Sequence, residues 1–284
     1  MKNSVQINEK LVHNLIFSQF PKLADLKIKA VSNQGWDNRT FHLGDNMLVR
    51  LPSDAMYASQ VKKEYYWLPK LRSCLPLEIP KPIAMGNPTP EYPFHWLINE
   101  WLEGDTSAVD RIDDLGKFAI SLAEFIKSLH QCDTKGAPLA GPDNFYRGGS
   151  LSIYDADTRK AIAQLKDKNL SRSLTAIWEK ALSSSWEKSP VWVHGDIAIG
   201  NLLVTNGKLS AVIDFGQLAI GDPACDLVIY WTFLSGESQG MFRKTLNLDN
   251  DTWDRARGWA LWKILCAPIA GTDCGKIIDG IIAE

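Results

Sequence analysis

The chain has no apolar run approaching the roughly 20 residues that a membrane-spanning helix needs, so no membrane association is expected. It has no basic excess either. Its 31 Lys and Arg stand against 33 Asp and Glu, for a net charge of −2, which leaves no electrostatic footprint for nucleic acid. Cysteine is sparse: Cys74, Cys132, Cys225, Cys266 and Cys274 are scattered, odd in number and without metal-ligand spacing. They read as reduced residues of an intracellular, cytoplasmic protein. The start, Met1-Lys2-Asn3-Ser4, turns polar and then amphipathic, which predicts no signal peptide. Internal repeats and low-complexity tails are missing. What is present is 284 residues at 45% hydrophobic content, enough for one large domain or two lobes sharing an active cleft. Most of the eleven tryptophans are expected in the core, with Trp36 and Trp101 placed where a ligand could touch them.

The organising stretch runs from Val191 to Tyr230. Val191-Trp192-Val193 reads as a buried strand delivering His194-Gly195-Asp196 into a loop. Leu202-Leu203-Val204 is a second strand, Asn206-Gly207 a strong hairpin signal, and Leu209 to Ile213 the return strand that delivers Asp214-Phe215-Gly216. Asp and Asn at strand ends are ordinarily turn residues. Their spacing here argues for more. A hairpin holding Asp196, Asn201 and Asp214 at one end gathers two carboxylates and an amide oxygen, donors that suit magnesium together with substrate phosphates.

His-x-Asp-x-x-x-x-Asn followed by a strand and Asp-Phe-Gly is the layout of the catalytic and metal loops of the protein-kinase-like fold. Gly195 stands where protein kinases usually carry Arg, and Ala198 where they usually carry Lys. With Gly221-Asp222-Pro223-Ala224 and Asp226-Leu227, the chain resembles the aminoglycoside phosphotransferase family and its small-molecule kinase relatives. The resemblance implies an α+β, bilobal protein-kinase-like fold, with a sheet-rich N-terminal lobe and a mostly helical C-terminal lobe. It implies a nucleotide-binding lobe over 1–102 and a catalytic and substrate-binding lobe over 103–284.

Pattern along the chain agrees with that division. Asn8 to Phe20 reads as a capped helix with Leu11, Val12, Leu15 and Ile16 on one stripe, stopped by Pro21. Strands are predicted at 26–31, 40–43, 47–51, 83–86 and 94–101, with a helix over 57–72. From Asp113 the period becomes helical, through Leu115, Phe118, Leu122, Ile126 and Leu129, and His130 is expected to cap that helix. Helices are also predicted at 155–166, 170–183, 225–234 and 253–267.

By resemblance, Asp196 is the base that accepts the acceptor hydroxyl proton, and Asn201 and Asp214 hold Mg2+. Arg50 takes the place of the lysine that holds the nucleotide phosphates; its guanidinium can bind phosphate and carboxylate alike. Glu64 is the carboxylate expected to pair with it. Backbone groups near Glu100 and Leu102 are expected to meet the adenine edge. His194 is read as an orienter of the loop, Asp222 as fixing the next loop, and Asp226 as supporting the catalytic loop by hydrogen bonding. The implied reaction moves the terminal phosphoryl group of ATP or GTP to a hydroxyl of a small molecule, an aminoglycoside or other antibiotic. The alternative acceptors are metabolic, of choline, homoserine or sugar type. A nucleotide-binding pseudokinase is the reading from another class, with Arg50 its one supporting feature.

Overall fold

Asn8 opens the first helix, α1 (Glu9–Gln19), by accepting the Leu11 N–H on its side-chain oxygen at 3.0 Å. That satisfies one of the donors a helix start leaves unpaired. Pro21 follows and the helix ends. The computed structural model describes residues 5–32, 34–267 and 273–284. They fall into two units: Met1–Gly104 with Ala211–Gly216, and Asp105–Ser210 with Gln217–Glu284. The return of 211–216 to the first unit was not legible from contiguity. It follows from a bridge of Ala211 to Glu78 and a bond from the Val212 N–H to the Glu78 carbonyl at 2.9 Å.

The first unit is built on β1 (Ile28–Ala30), β2 (Asn38–Leu43), β3 (Met47–Pro52), α2 (Ala58–Leu71), β4 (Pro82–Gly86) and β5 (Trp96–Glu100). The sheet order is β1-β2-β3-β5-β4, antiparallel throughout. The α1 stripe of Leu11, Val12, Leu15 and Ile16 is buried with Phe41, Leu43, Val49, Leu51, Trp96 and Ile98. Strand periodicity then decides where Arg50 goes. Val49 and Leu51 enter this core, so Arg50 between them faces the other side of the sheet. On α2, Val61, Glu64, Leu68 and Leu71 recur at helical spacing and are all buried, which puts a carboxylate on an otherwise apolar face.

The second unit holds β6 (Asp105–Thr106), α3 (Leu115–Gln131), α4 (Asp155–Ala163), α5 (Lys168–Leu182), β7 (Val191–Val193), β8 (Leu202–Thr205), β9 (Lys208–Val212), β10 (Ala219–Gly221), α6 (Ile229–Thr232), α7 (Glu237–Leu246), α8 (Asn250–Cys266) and α9 (Cys274–Ala283). β9 runs on into the first unit at Ala211. β8 and β9 are joined through Asn206 (φ 50°) and Gly207 (φ 72°), the left-handed pair the hairpin requires. β10 pairs antiparallel with β7, Ala219 opposite Val193. Helices α3 and α7 pack together, as do α5 and α8.

Three expectations need correction. His130 does not cap α3: it lies in the last turn, Cys132 is the cap, and the His130 Nε2 is buried without a partner. The helix expected over 225–234 is a 3₁₀ turn, Pro223–Leu227, followed by the single turn of α6. Pro223 and the Asp222 side chain, which accepts the Ala224 N–H, start that tighter turn. Cys225, Cys266 and Cys274 are free, but Cys74 and Cys132 are disulfide-bonded. Spacing along the chain does not report where sulfurs end up.

Candidate active site

Arg50 in the first unit bridges two carboxylates. Its Nη1 donates to both oxygens of Glu64, at 2.5 and 2.7 Å, and its Nη2 donates to Asp214 Oδ1. With its amide oxygen turned towards the guanidinium, Asn38 accepts from Nη2 and Nε at 2.9 and 3.2 Å. Burial alone lowers the Arg50 pKa, but Asp214 and Glu64 together carry it above its ordinary value. Burial raises Glu64, against the pull of Arg50. Asp214 is the most exposed of the three, at 36%. Its backbone is left-handed, φ 67°, a conformation Asp tolerates better than most residues. Sequence reasoning anticipated the Arg50–Glu64 pair and missed both Asp214 and Asn38 as its partners.

In the second unit the loop after β7 is held from behind. Asp226, fully buried, accepts the His194 N–H on Oδ2 and the Gly195 N–H on Oδ1, both at 2.7 Å. The Asp196 N–H then donates to His194 Nδ1 at 3.2 Å, so the imidazole braces the loop. Gly195 sits at φ 86°, and a Cβ there would come within 2.7 Å of the Gln217 carbonyl oxygen and 3.1 Å of Arg147 Cβ. Only glycine fits. Asn201 donates its amide to the Asp196 carbonyl at 2.9 Å and to Asp196 Oδ2 at 3.2 Å.

Asp196 Oδ1 accepts from Lys263 Nζ at 2.9 Å. Burial pushes the Asp196 carboxyl up, yet Lys263, with His194 and Arg147, outweighs burial and leaves it below the ordinary value. Lys263 escaped the sequence reading. Its signal was a lone lysine inside the apolar run Trp259-Ala260-Leu261-Trp262-Lys263-Ile264.

The family pattern described as the phosphotransferase enzyme family matches residues 27–259. The chain belongs to that family. An aminoglycoside 3'-phosphotransferase of Escherichia coli is 27% identical over 156 residues, 53% of this chain and 56% of the relative. The chain thus spans about half the length of the curated relatives it matches. The GDP complex of aminoglycoside 2'-phosphotransferase-IIIa superposes with a TM-score of 0.76 at 18% identity, over 98% of this chain and 99% of that one. Macrolide 2'-phosphotransferase type I gives 0.65 at 17%, over 98% and 97%. These structural likenesses establish the fold, α+β with a sheet-rich first part and a helical second, as expected from the sequence.

The Glu100 N–H bonds the Lys81 carbonyl at 2.9 Å, so the sheet uses it, and the Glu100 side chain pairs with Lys81. The Trp101 N–H goes to the Asn46 carbonyl at 2.9 Å, and Leu102 follows outside any regular element. The Trp101 ring lies tilted against His42, centroids 4.1 Å apart, and Trp36 is 90% exposed. Asp222 is locked to Arg255 at 2.6 Å and lines a cavity of about 460 Å³ with Ser184, Trp186 and Lys188. Neither Asp196 nor Asn201 borders that cavity. Among the described residues no group of three or more His, Cys, Asp and Glu could hold a metal. Taken each by itself, the two side chains have donor chemistry that suits magnesium: with its NH2 spent on Asp196, Asn201 has only its amide oxygen to offer, and Asp214 keeps Oδ2 beside the oxygen given to Arg50.

Proposed function

We propose that this protein transfers the terminal phosphoryl group of ATP or GTP to a hydroxyl of a small molecule, the first unit binding the nucleotide and the second carrying the base and acceptor. The observation that carries the reading is the Asp196 loop. A carboxylate kept ionised by Lys263, on a loop anchored by Asp226, suits a group that receives a proton late in transfer. The acceptor O–H proton passes to Asp196 as the oxygen bonds the terminal phosphorus. The bond to the bridging oxygen breaks, and nucleoside diphosphate leaves.

Arg50, oriented by Glu64, binds phosphate from the first unit. Main-chain groups at Glu100 and Leu102 serve the adenine edge, with the Glu100 N–H discounted because the sheet holds it. Asn201 and Asp214 are the magnesium ligands, each named for its oxygen donor. Bound there, Mg2+ would neutralise charge on the nucleotide phosphates. Use of a nucleoside triphosphate supports a cytoplasmic location, and no described helix is long and apolar enough to cross a membrane.

The names of the relatives support an antibiotic acceptor, an aminoglycoside or a macrolide. A metabolic acceptor is the second reading, favoured by the cations beside Asp196. The test is a screen of hydroxylated compounds for nucleotide consumption, run with ATP and with GTP. Consumption coupled to a phosphorylated product is expected. Tight nucleotide binding without turnover on any hydroxyl compound would leave a pseudokinase instead.

A further inference from the structure

Two cations stand at Asp196, and neither is used up by it. Lys263 gives Asp196 one hydrogen bond, and an ammonium has three donors. Arg147 flanks the same loop, its Cβ beside Gly195. It stacks over Trp262 at 4.4 Å, the residue preceding Lys263, and donates Nε to Gln217 Oε1 at 3.0 Å. Its Nη1 is buried without a hydrogen bond of ordinary geometry, and the guanidinium also lies over the rings of Trp259 and Tyr154, at 5.2 and 5.9 Å.

The backbone spends energy to hold Arg147 there. Phe145 and Tyr146, the two residues before it, are both left-handed, at φ 53° and 54°, a conformation unfavourable for side chains of their size. Asn144 pins the turn by donating to the Arg147 and Gln217 carbonyls at 2.7 and 3.1 Å. Strain of this kind concentrates where a side chain must be aimed.

Three acids of this unit that could meet a polycationic acceptor are committed elsewhere. Asp155 accepts from Trp178 and Arg159, Asp249 caps α8 and pairs with Lys188, and Asp254 pairs with Lys180. Lys263 and Arg147 favour the charge of Asp196, and the carboxylate that acts against it, Asp226, is spent on the His194 and Gly195 N–H groups.

We propose that the acceptor carries a carboxylate or phosphate close to the hydroxyl that is phosphorylated, and that Lys263 and Arg147 bind that anion. The proposal rests on the phosphotransferase reading above and narrows its acceptor class. An anionic group held by both cations fixes the hydroxyl against Asp196, whereas an amine in the same place is repelled.

The experiment uses the full chain with magnesium and either nucleotide, on matched acceptors in three charge classes. The anions are gluconate and ribose 5-phosphate, the neutral set glucitol and ribose, the cations glucosamine and kanamycin. Transfer is expected to the anionic class, and the carboxylate and phosphate arms separate its two sources. Lys263→Ala should raise KM for the anion roughly tenfold or more with the nucleotide KM unchanged, and Lys263→Arg should restore much of it. Transfer to glucosamine, kanamycin or the neutral set at a kcat/KM equal to the best anion overturns the proposal, as does failure of both anions while nucleotide is bound and slowly hydrolysed. Failure to bind or turn over nucleotide at all would instead sink the phosphotransferase reading itself.

Discussion

Asp196 holds its charge through a neighbour that lies 67 residues away in sequence, and its replacement gives the sharpest test at residue scale. Asp196→Ala should lower kcat on the order of 10²–10⁴-fold while Mg-nucleotide affinity, measured by calorimetry, stays near the parent value. Turnover within a few-fold of the parent would remove Asp196 from the mechanism. Arg50 and Glu64 should behave as one device. Arg50→Ala and Glu64→Ala each weaken nucleotide binding, and the double variant should lose less than their sum, because either change disturbs the same contact. Arg50→Lys keeps the charge but not the fork, so partial activity is expected. A strictly additive cycle on nucleotide affinity and turnover would exclude the pairing. The sequence carried Arg50, Glu64 and Asp196 in its motif spacing. It could not carry Lys263, since nothing in the helical period says which loop a half-buried lysine will meet.

At the scale of elements, the loop from His194 to Asn201 is anchored by a single carboxylate, Asp226. Asp226→Ala leaves the buried N–H groups of His194 and Gly195 unpaired, a loss of about 1–3 kcal/mol for each. Urea denaturation should show that loss, and amide exchange at Gly195 should speed up. Asp226→Asn keeps one accepting oxygen and should fall between the two. Equal exchange in parent and Ala variant would mean the loop is held elsewhere. A second test belongs to α3. Burial lowers the His130 pKa to about 4, against about 6.5 unfolded. Above pH 6.5 the ring is neutral in both states and contributes nothing to pH dependence. As pH falls from 6.5 towards 4 the unfolded chain takes up a proton that the native chain refuses, so stability drops, by roughly 3 kcal/mol in all. His130→Gln should flatten that part of the stability–pH curve; an unchanged curve would contradict the burial.

At the scale of the whole molecule, ligand binding and stability are linked. A nucleotide that binds only the folded state at 100 times its Kd adds about 2.7 kcal/mol, read as a rise in Tm. The rise should need magnesium, disappear with a chelator, and shrink in Asp214→Ala more than in Asn201→Ala, since the first removes a charged ligand and the second a neutral one. A chelator-insensitive shift would argue against both ligands. Comparing ATP with GTP in the same assay fixes the donor. By itself the sequence determined the local things: where a helix starts, as at Asn8; the period that buries Leu11, Val12, Leu15 and Ile16; the Asn206-Gly207 turn; and the spacing of Asp196, Asn201 and Asp214. These depend on neighbours a few residues apart, and propensity and periodicity record them. Tertiary structure alone decided that Ala211–Gly216 belongs with the first unit, that Asp214 and Asn38 share Arg50 with Glu64, and that Lys263 pairs with Asp196. Such contacts join residues whose separation along the chain carries no pattern. They are set by which buried charges must find partners once the apolar faces have closed.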